Sequence, residues 1–168
     1  MTREAADWIS ALKLEKHVEG GWFREIYRSP GIIQDGILLP DFQGARNYST
    51  SIYFLLQGDE FSSFHRVRQD EIWHYYEGTA SVKIVILSHE GFQTIRLGRK
   101  FNENEVFQAV IPGNSWFAAF LTDSMGYALV GCTVSPGFDF RDFELGDREV
   151  LSKEFPHSVE IIDRLTRL

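Results

Sequence analysis

The feature that most constrains the fold is a series of short β-type segments that begins at Tyr48. In the first, residues 48–57, Ile52, Phe54 and Leu56 alternate with more polar residues, which is the period of a strand with one buried face. The same pattern, interrupted by turns, predicts strands at residues 62–67, 71–76, 81–87, 92–96, 106–111, 116–121 and 127–134. No helix-length segment separates them, which argues against a parallel sheet and favours an antiparallel β-sandwich or barrel.

The ends of the chain differ from this β region. A partial apolar stripe that includes Trp8 and Leu12 predicts a short N-terminal helix, which ends before the glycine pair Gly20-Gly21. A strand at 22–28 and a loop at 34–47 follow, and helices are predicted at 147–154 and 158–165. We therefore expect one all-β domain over residues 1–168, with a leading helix and a helical tail.

Composition limits the function classes. The net charge of -7 argues against a nucleic-acid partner, because phosphate binding needs a basic surface. Cys132 is the single cysteine, and it lies in an apolar run that predicts a buried thiol and a reducing compartment. Without a signal-peptide pattern or a membrane-length apolar run, the expected location is cytoplasmic, away from the membrane. The high aromatic content, 14%, is typical of a β protein with a small-molecule pocket.

The strongest candidate for chemistry is the segment that contains His65 and Glu71. A turn between these residues would let one hairpin present both on the same interior face. A neutral imidazole can accept a proton near pH 7, and Glu71 could fix its tautomer and raise its basicity. We therefore predict His65 and Glu71 as catalytic residues. The rival interpretation is a buried histidine whose hydrogen-bonding need is met by Glu71 and whose role is structural alone.

The other candidates are substrate contacts. Ser51 and Tyr53 lie on the more polar face of a strong strand, where they could bind a ligand or form a polar outer surface. Four large aromatic residues could line the pocket, with core packing as the rival role: Trp73, Tyr75, Trp116 and Phe117. The sequence Glu19-Gly20-Gly21 is interpreted as a backbone-driven turn, since it lacks the lysine of a phosphate loop.

The His65 segment resembles the first motif of the cupin superfamily, in which two histidines one residue apart precede a glutamate and a glycine. His65, Glu71 and Gly78 keep that spacing, but Val67 replaces the second histidine. In the second motif, after Pro112-Gly113, Phe117 replaces the third histidine. Metal-binding cupins hold their ion with those three histidines and the glutamate, so the resemblance implies no tightly bound metal and no other cofactor. A weak site formed by His65, Glu71 and His74 is the alternative.

A closer resemblance, to one uncharacterised cupin family, covers nearly the whole chain. The strings that carry it are residues 19–28, 51–56, 64–67, 70–74 and 131–140. It implies a jelly-roll fold and, by similarity to the sugar-nucleotide epimerases of the superfamily, metal-independent chemistry with an interior histidine as base. We expect an epimerase, isomerase or lyase acting on a carbohydrate-like substrate; the alternatives are a non-catalytic small-molecule sensor and an atypical metal-binding cupin.

Assembly is predicted from the sheet edges, which need cover in a jelly roll. The strand near Trp22 and the phenylalanine-rich residues 138–143 are the candidates for a two-fold homodimer contact.

Overall fold

Two antiparallel β-sheets packed face to face form the core of the protein. The structure is a computed structural model, and it describes residues 4–37 and 42–167. In these residues the strands are β1 (Glu15–Lys16), β2 (Trp22–Arg28), β3 (Ile32–Ile33), β4 (Arg46–Asn47), β5 (Thr50–Gln57), β6 (Phe61–Val67), β7 (Asp70–Gly78), β8 (Val82–Ser88), β9 (Gly91–Leu97), β10 (Gln108–Ile111), β11 (Phe117–Leu121), β12 (Tyr127–Ser135) and β13 (Phe143–Leu145). The α-helices are α1 (Ala5–Leu12), α2 (Arg148–Glu154) and α3 (Val159–Arg164).

The first sheet has the strand order β1-β2-β5-β12-β7-β10, and the second has the order β13-β6-β11-β8-β9. Their inner faces share one apolar cluster, in which Phe54 and Trp73 from the first sheet meet Ile84 and Phe117 from the second. Alternation in strands such as β7 and β10 sends every second side chain into this core. These antiparallel sheets confirm the predicted all-β, cupin-type jelly-roll fold with short terminal helices.

The helical tail covers the outer face of the second sheet. Leu151 of α2 and Ile162 of α3 pack on Phe64, Val85 and Trp116. The inner strand β11 of the second sheet is therefore buried on both faces, which explains why its sequence, residues 117–121, is continuously apolar. No helix in the described part of the chain is long and apolar enough to cross a membrane.

Most strand bounds lie within two residues of the prediction, and strand 22–28 agrees at both ends. The predicted loop at 34–47 differs, because Arg46–Asn47 pair with Ile32–Ile33 as a small separate sheet. Residues 38–41 of that loop lie outside the described residues. Strand β13 was not expected; it pairs with β6 and so covers an edge of the second sheet.

Candidate functional site

A cavity of about 360 Å³ lies between the inner face of the first sheet and strand β6 of the second. The hairpin loop between β1 and β2 and the segment before β13 complete its wall. The side chains that line it are His17, Glu19, Phe23, Glu25, Arg28, Thr50, Ile52, Phe54, His65, Val67, Glu71, Cys132, Val134, Phe138, Asp139, Phe140 and Phe143. A concave, largely apolar space with a few converging polar groups is the usual form of a small-molecule site.

His65 and Glu19 form the polar centre of the cavity. Nδ1 of His65 donates to the carbonyl oxygen of Ser63 at 2.8 Å, because that oxygen can only accept. This bond places a hydrogen on Nδ1 of the ring. Nε2 lies 3.2 Å from Oε2 of Glu19, and both side chains are almost fully buried.

Glu19 has further partners that favour its ionised form. Ser62 donates its hydroxyl to Oε1 at 2.8 Å, and Nδ1 of His17 lies 3.4 Å from Oε2. Burial opposes ionisation, but the charge of His65 and the contacts with His17 and Ser62 outweigh it and hold the pKa of Glu19 below its ordinary value. The cavity therefore contains a buried carboxylate held between two imidazoles.

The pKa of Glu71 is shifted in the opposite direction from that of Glu19. Burial, with the nearby charge of Glu19, raises its pKa to about 8, and a hydrogen bond with Cys132 only partly offsets this. At neutral pH Glu71 is mainly a neutral carboxylic acid that can donate a hydrogen bond. Burial first, and then the charges of Glu71 and Glu19, raise the pKa of the Cys132 thiol well above its ordinary value. Cys132 is thus a neutral, buried partner of Glu71.

The loop between β1 and β2 places His17 and Glu19 in the cavity. Gly20 has φ +110° and Gly21 has φ +72°, a conformation that favours glycine. A Cβ on Gly20 would lie 2.2 Å from the carbonyl oxygen of Phe61, so this position also requires close backbone approach. The backbone N–H of Ser63 donates to the carbonyl of Glu19 at 2.8 Å, which fixes the loop against β6. The glycine pair therefore does form a turn, and the turn positions the buried carboxylate.

An aromatic wall closes one side of the cavity. Phe138, Phe140 and Phe143 contact one another edge to face, and the ring of Phe143 lies 5.5 Å from that of His65. The ring of Phe140 stacks on His17 at 6.5 Å. The wall gives the cavity a face without polar atoms beside the acid and imidazole groups.

A buried ion pair anchors this wall. Asp142 accepts hydrogen bonds at 2.7 Å from Nε and Nη2 of Arg46 and from Nε2 of Gln69. The side chains of Arg46 and Asp142 are each only 1% exposed. The bidentate geometry ties the segment between Phe140 and Phe143 to β4 and to the β6–β7 turn.

The structure places both predicted catalytic residues, His65 and Glu71, in the cavity lining. Their pairing is corrected, however, because the carboxylate in contact with Nε2 of His65 belongs to Glu19. The catalytic roles themselves stay predictions.

Ser51 and Tyr53 lie on the opposite face of β5 from the cavity. Thr50, Ile52 and Phe54 of the same strand point inward, while Oγ of Ser51 lies 3.5 Å from Oγ1 of Thr133 on the outer face. Ser51 and Tyr53 therefore lie outside the cavity lining, on the polar outer face that was their rival role, and ligand binding by them stays a prediction. The physical reason is that the two sheets bury the apolar side of β5, and the cavity lies on that buried side.

The four predicted aromatic contacts also lie outside the cavity lining. Trp73 and Phe117 are core residues below it, with the Phe117 ring 4.1 Å from that of His65. Tyr75 donates its hydroxyl to the carbonyl of Ala80 at 2.9 Å. Trp116 packs under the helical tail. Their positions agree with core packing, the rival role, and the cavity is lined by the phenylalanines of the aromatic wall.

The residues around the cavity do not fit a cupin metal ion. Val67 and Phe117 supply no ligand atom, and the Phe117 ring packs against His65. The alternative set with His74 is not brought together, because His74 points to the outer face, where its Nε2 lies 3.3 Å from Oγ1 of Thr133. Residues 4–37 and 42–167 contain no group of three or more histidine, cysteine or acidic side chains arranged to hold a metal.

Sequence reasoning missed His17 and Glu19 as site residues. The available signal was the string Glu19-Gly20-Gly21, since paired glycines beside a charged residue can hold that residue's backbone in a buried turn. The contact with His65 spans 46 positions of the chain, and no spacing rule for a single strand or hairpin connects the two.

Comparison with known proteins places the chain among others of the same fold. The sequence model of the family described as "Cupin superfamily (DUF985)" matches residues 6–146. An uncharacterized protein of Saccharomyces cerevisiae is 31% identical over 145 residues, covering 81% of this chain and 70% of the yeast protein. A crystal structure from Shewanella oneidensis has a TM-score of 0.88 at 37% identity and covers 99% of both chains. A hypothetical protein from Leishmania major has a TM-score of 0.89 at 27% identity, over 99% of this chain and 100% of its own.

Proposed function

The chain belongs to the cupin superfamily, in the family described as DUF985, and from this premise we propose that its cavity binds a small carbohydrate-like carbonyl compound and catalyses metal-independent proton transfer on it. The observation that carries the proposal is the pairing of His65 with ionised Glu19 in a cavity that also holds protonated Glu71. Carboxyl groups whose environments push their pKa values apart are the usual arrangement for an acid and a base in one site.

The proposed reaction is epimerisation or isomerisation at a carbon next to the carbonyl. In the neutral form of His65, Nε2 takes the proton from that carbon, and the charge of Glu19 stabilises the imidazolium that forms. The electron pair of the broken C–H bond moves into an enol, and Glu71 supplies a proton to its oxygen. Return of a proton to carbon, with loss of the enol proton to Glu71, completes the cycle without any redox change.

The test is deuterium exchange into the substrate. Wild-type protein is incubated in deuterated water with aldoses and ketoses that raise its melting temperature, and exchange at the carbon next to the carbonyl is followed by NMR. We expect His65→Ala to lower the exchange rate by a factor of about 10² or more, the usual share of a general base. The matched control is His74→Ala, since His74 lies on the outer face of the same sheet.

An unchanged exchange rate in His65→Ala, with the ligand still bound, would exclude the histidine base. A second function, binding without catalysis, is favoured by one observation: both ring nitrogens of His65 already have partners, Ser63 and Glu19. Ligand stabilisation without exchange in the wild-type protein would support this sensor function over the enzyme.

We also propose a two-fold homodimer, formed through the outer face of the first sheet. A row of residues paired between neighbouring strands crosses this face: Tyr27, Ser51, Thr133, Ile72 and Val110. Tyr27 and Val110, at the two ends of the row, are apolar and about half exposed. Burying such a row on a second copy would remove apolar surface from water. The phenylalanines of residues 138–143, the other predicted contact, also line the cavity, and their part in a dimer stays a prediction.

Light scattering at micromolar concentration is expected to give about twice the 19.4 kDa mass of the chain. Val110→Lys should shift the protein towards monomer, because a charge would be buried in the contact. Val150→Lys is the control, since Val150 is similarly exposed on α2, away from this face. A clean wild-type monomer would reject the dimer. The cytoplasmic location and the lack of a nucleic-acid partner rest on composition and stay predictions.

A further inference from the structure

The charges around the cavity are already paired, beginning with Arg28 at its mouth. The guanidinium of Arg28 donates to both carboxylate oxygens of Glu25, at 2.9 and 2.6 Å. Its remaining terminal nitrogen donates to Oδ1 of Asn47 at 2.9 Å and to the carbonyl of Phe138 at 3.2 Å. All three nitrogens of this guanidinium therefore have protein acceptors.

The other basic groups are paired in the same way. Each imidazole in the lining, that of His17 and that of His65, lies within 3.4 Å of Oε2 of Glu19. Just outside the cavity, the guanidinium of Arg141 makes a bidentate contact with Asp139, at 2.9 and 2.8 Å. Each basic side chain among the described lining residues thus contacts a carboxylate oxygen. The carboxylates of Glu25 and Asp139, at the cavity mouth, are also part of the lining.

A phosphate group would find no ready partner in this arrangement. Phosphate recognition relies on charge-assisted hydrogen bonds from arginine, lysine or backbone N–H groups aimed at the anion. Here a phosphate would have to displace Glu25 from Arg28 and then lie beside the displaced carboxylate. An uncharged ligand meets no such cost.

The size of the cavity points the same way. Its volume of 360 Å³ lies near the lower end of the range of about 300–1,000 Å³ that is usual for small-molecule sites. A hexose, with about a dozen non-hydrogen atoms, fits this space, whereas a sugar nucleotide has roughly three times as many. Phenylalanine rings offer flat apolar surface to the C–H face of a sugar ring.

We infer that the ligand of this cavity is an uncharged hydroxy-carbonyl compound of monosaccharide size, and that phosphorylated sugars and sugar nucleotides are excluded by the ion-paired mouth. The inference rests on the proposed function of the cavity as a ligand site, and it names the class of molecule. The carbonyl end lies at the His65–Glu71 centre, and the ring lies along the aromatic wall.

The test compares matched ligands by calorimetric titration and thermal shift. The panel contains free aldohexoses and ketohexoses, the 6-phosphate of each, a uridine-diphosphate hexose and inorganic phosphate. At least one free sugar is expected to bind, with its 6-phosphate weaker by about tenfold or more. Inorganic phosphate at millimolar concentration is expected to leave the melting temperature unchanged.

A variant tests the reason for the exclusion. Glu25→Gln removes the charge that pairs Arg28 and should reduce the preference for the free sugar over its 6-phosphate by about tenfold. Glu144→Gln is the control, because Glu144 pairs with Arg66 on an exposed surface outside the cavity lining.

Two outcomes overturn the inference. Equal or tighter binding of a phosphorylated sugar by wild-type protein would reject the inference that the ligand is uncharged. If that phosphorylated sugar also exchanged deuterium, and the exchange were lost in His65→Ala, the proposed function would still be supported. A panel in which no uncharged member binds also rejects the inference. If the phosphorylated sugars also show neither binding nor deuterium exchange, the proposed function is rejected as well.

Discussion

Replacing Asp142 with Asn is expected to lower the free energy of unfolding by about 3–5 kcal/mol. The substitution keeps the size of the side chain but leaves the guanidinium of Arg46, which is 1% exposed, as a buried charge without its carboxylate. Either orientation of the new amide also turns its N–H₂ towards a donor, Gln69 on one side or Nη2 of Arg46 on the other. Urea denaturation followed by tryptophan fluorescence measures the change.

The matched control is Asp139→Asn in the same segment. Asp139 pairs with Arg141, whose side chain is 54% exposed, and such pairs contribute about 1 kcal/mol or less. A second variant, Arg46→Met with Asp142→Leu, removes both charges and should recover much of the lost stability. A loss below about 1 kcal/mol in Asp142→Asn would show that the pair does not anchor the wall.

The ion pair of Arg46 and Asp142 is also expected to affect ligand binding. Asp142 lies between Phe140 and Phe143, which form the apolar wall of the cavity. Loosening the segment should therefore weaken ligand binding in Asp142→Asn at temperatures where the protein is still folded. The stability of one buried ion pair and the shape of the ligand site are thus coupled through a few residues.

Alternation of apolar and polar residues was enough to predict the longer strands and an antiparallel sandwich or barrel, whereas the jelly-roll fold was implied by the family resemblance. Strand 22–28 and the long strand that ends at Gln57 agree closely in their bounds with the sequence pattern. The same alternation gives the reason why Ser51 and Tyr53 lie outside the cavity. Their polar face is the outer face, and a cavity between two sheets can only be lined by the inner one.

The site was predictable only in part. His65 and Glu71 follow from a motif within one hairpin, and both line the cavity. Glu19 reaches His65 through a turn held by Gly20 and by a backbone hydrogen bond between Ser63 and Glu19. A contact of that kind depends on how two distant hairpins pack, which local patterns do not encode. The buried pair of Arg46 and Asp142 was not predicted either, because these residues are 96 positions apart in the chain.

The stability of the protein is expected to fall as pH rises towards 9, and Glu71 is the group responsible for much of that fall. Its pKa is about 8 in the folded protein against an ordinary 4.5, so the folded state binds more protons than the unfolded state between these values. The stabilising contribution of the protonated acid is complete below pH 4.5 and is lost as pH rises through 8. The shift corresponds to a change on the order of 5 kcal/mol across that window.

Glu71→Gln isolates this effect, because an amide of the same shape stays neutral at every pH. Relative to wild type, the variant should gain stability steadily from pH 5 to pH 9, by an amount that approaches the same 5 kcal/mol order of magnitude. Denaturant titrations at pH 5, 7 and 9 measure the difference, and Glu149→Gln on the exposed surface of α2 serves as the control, with no pH-dependent gain expected. If wild type and Glu71→Gln kept a constant difference across this range, Glu71 would be ionised already at pH 5. The cavity would then hold two adjacent carboxylates and no acid to protonate the enol oxygen of a substrate.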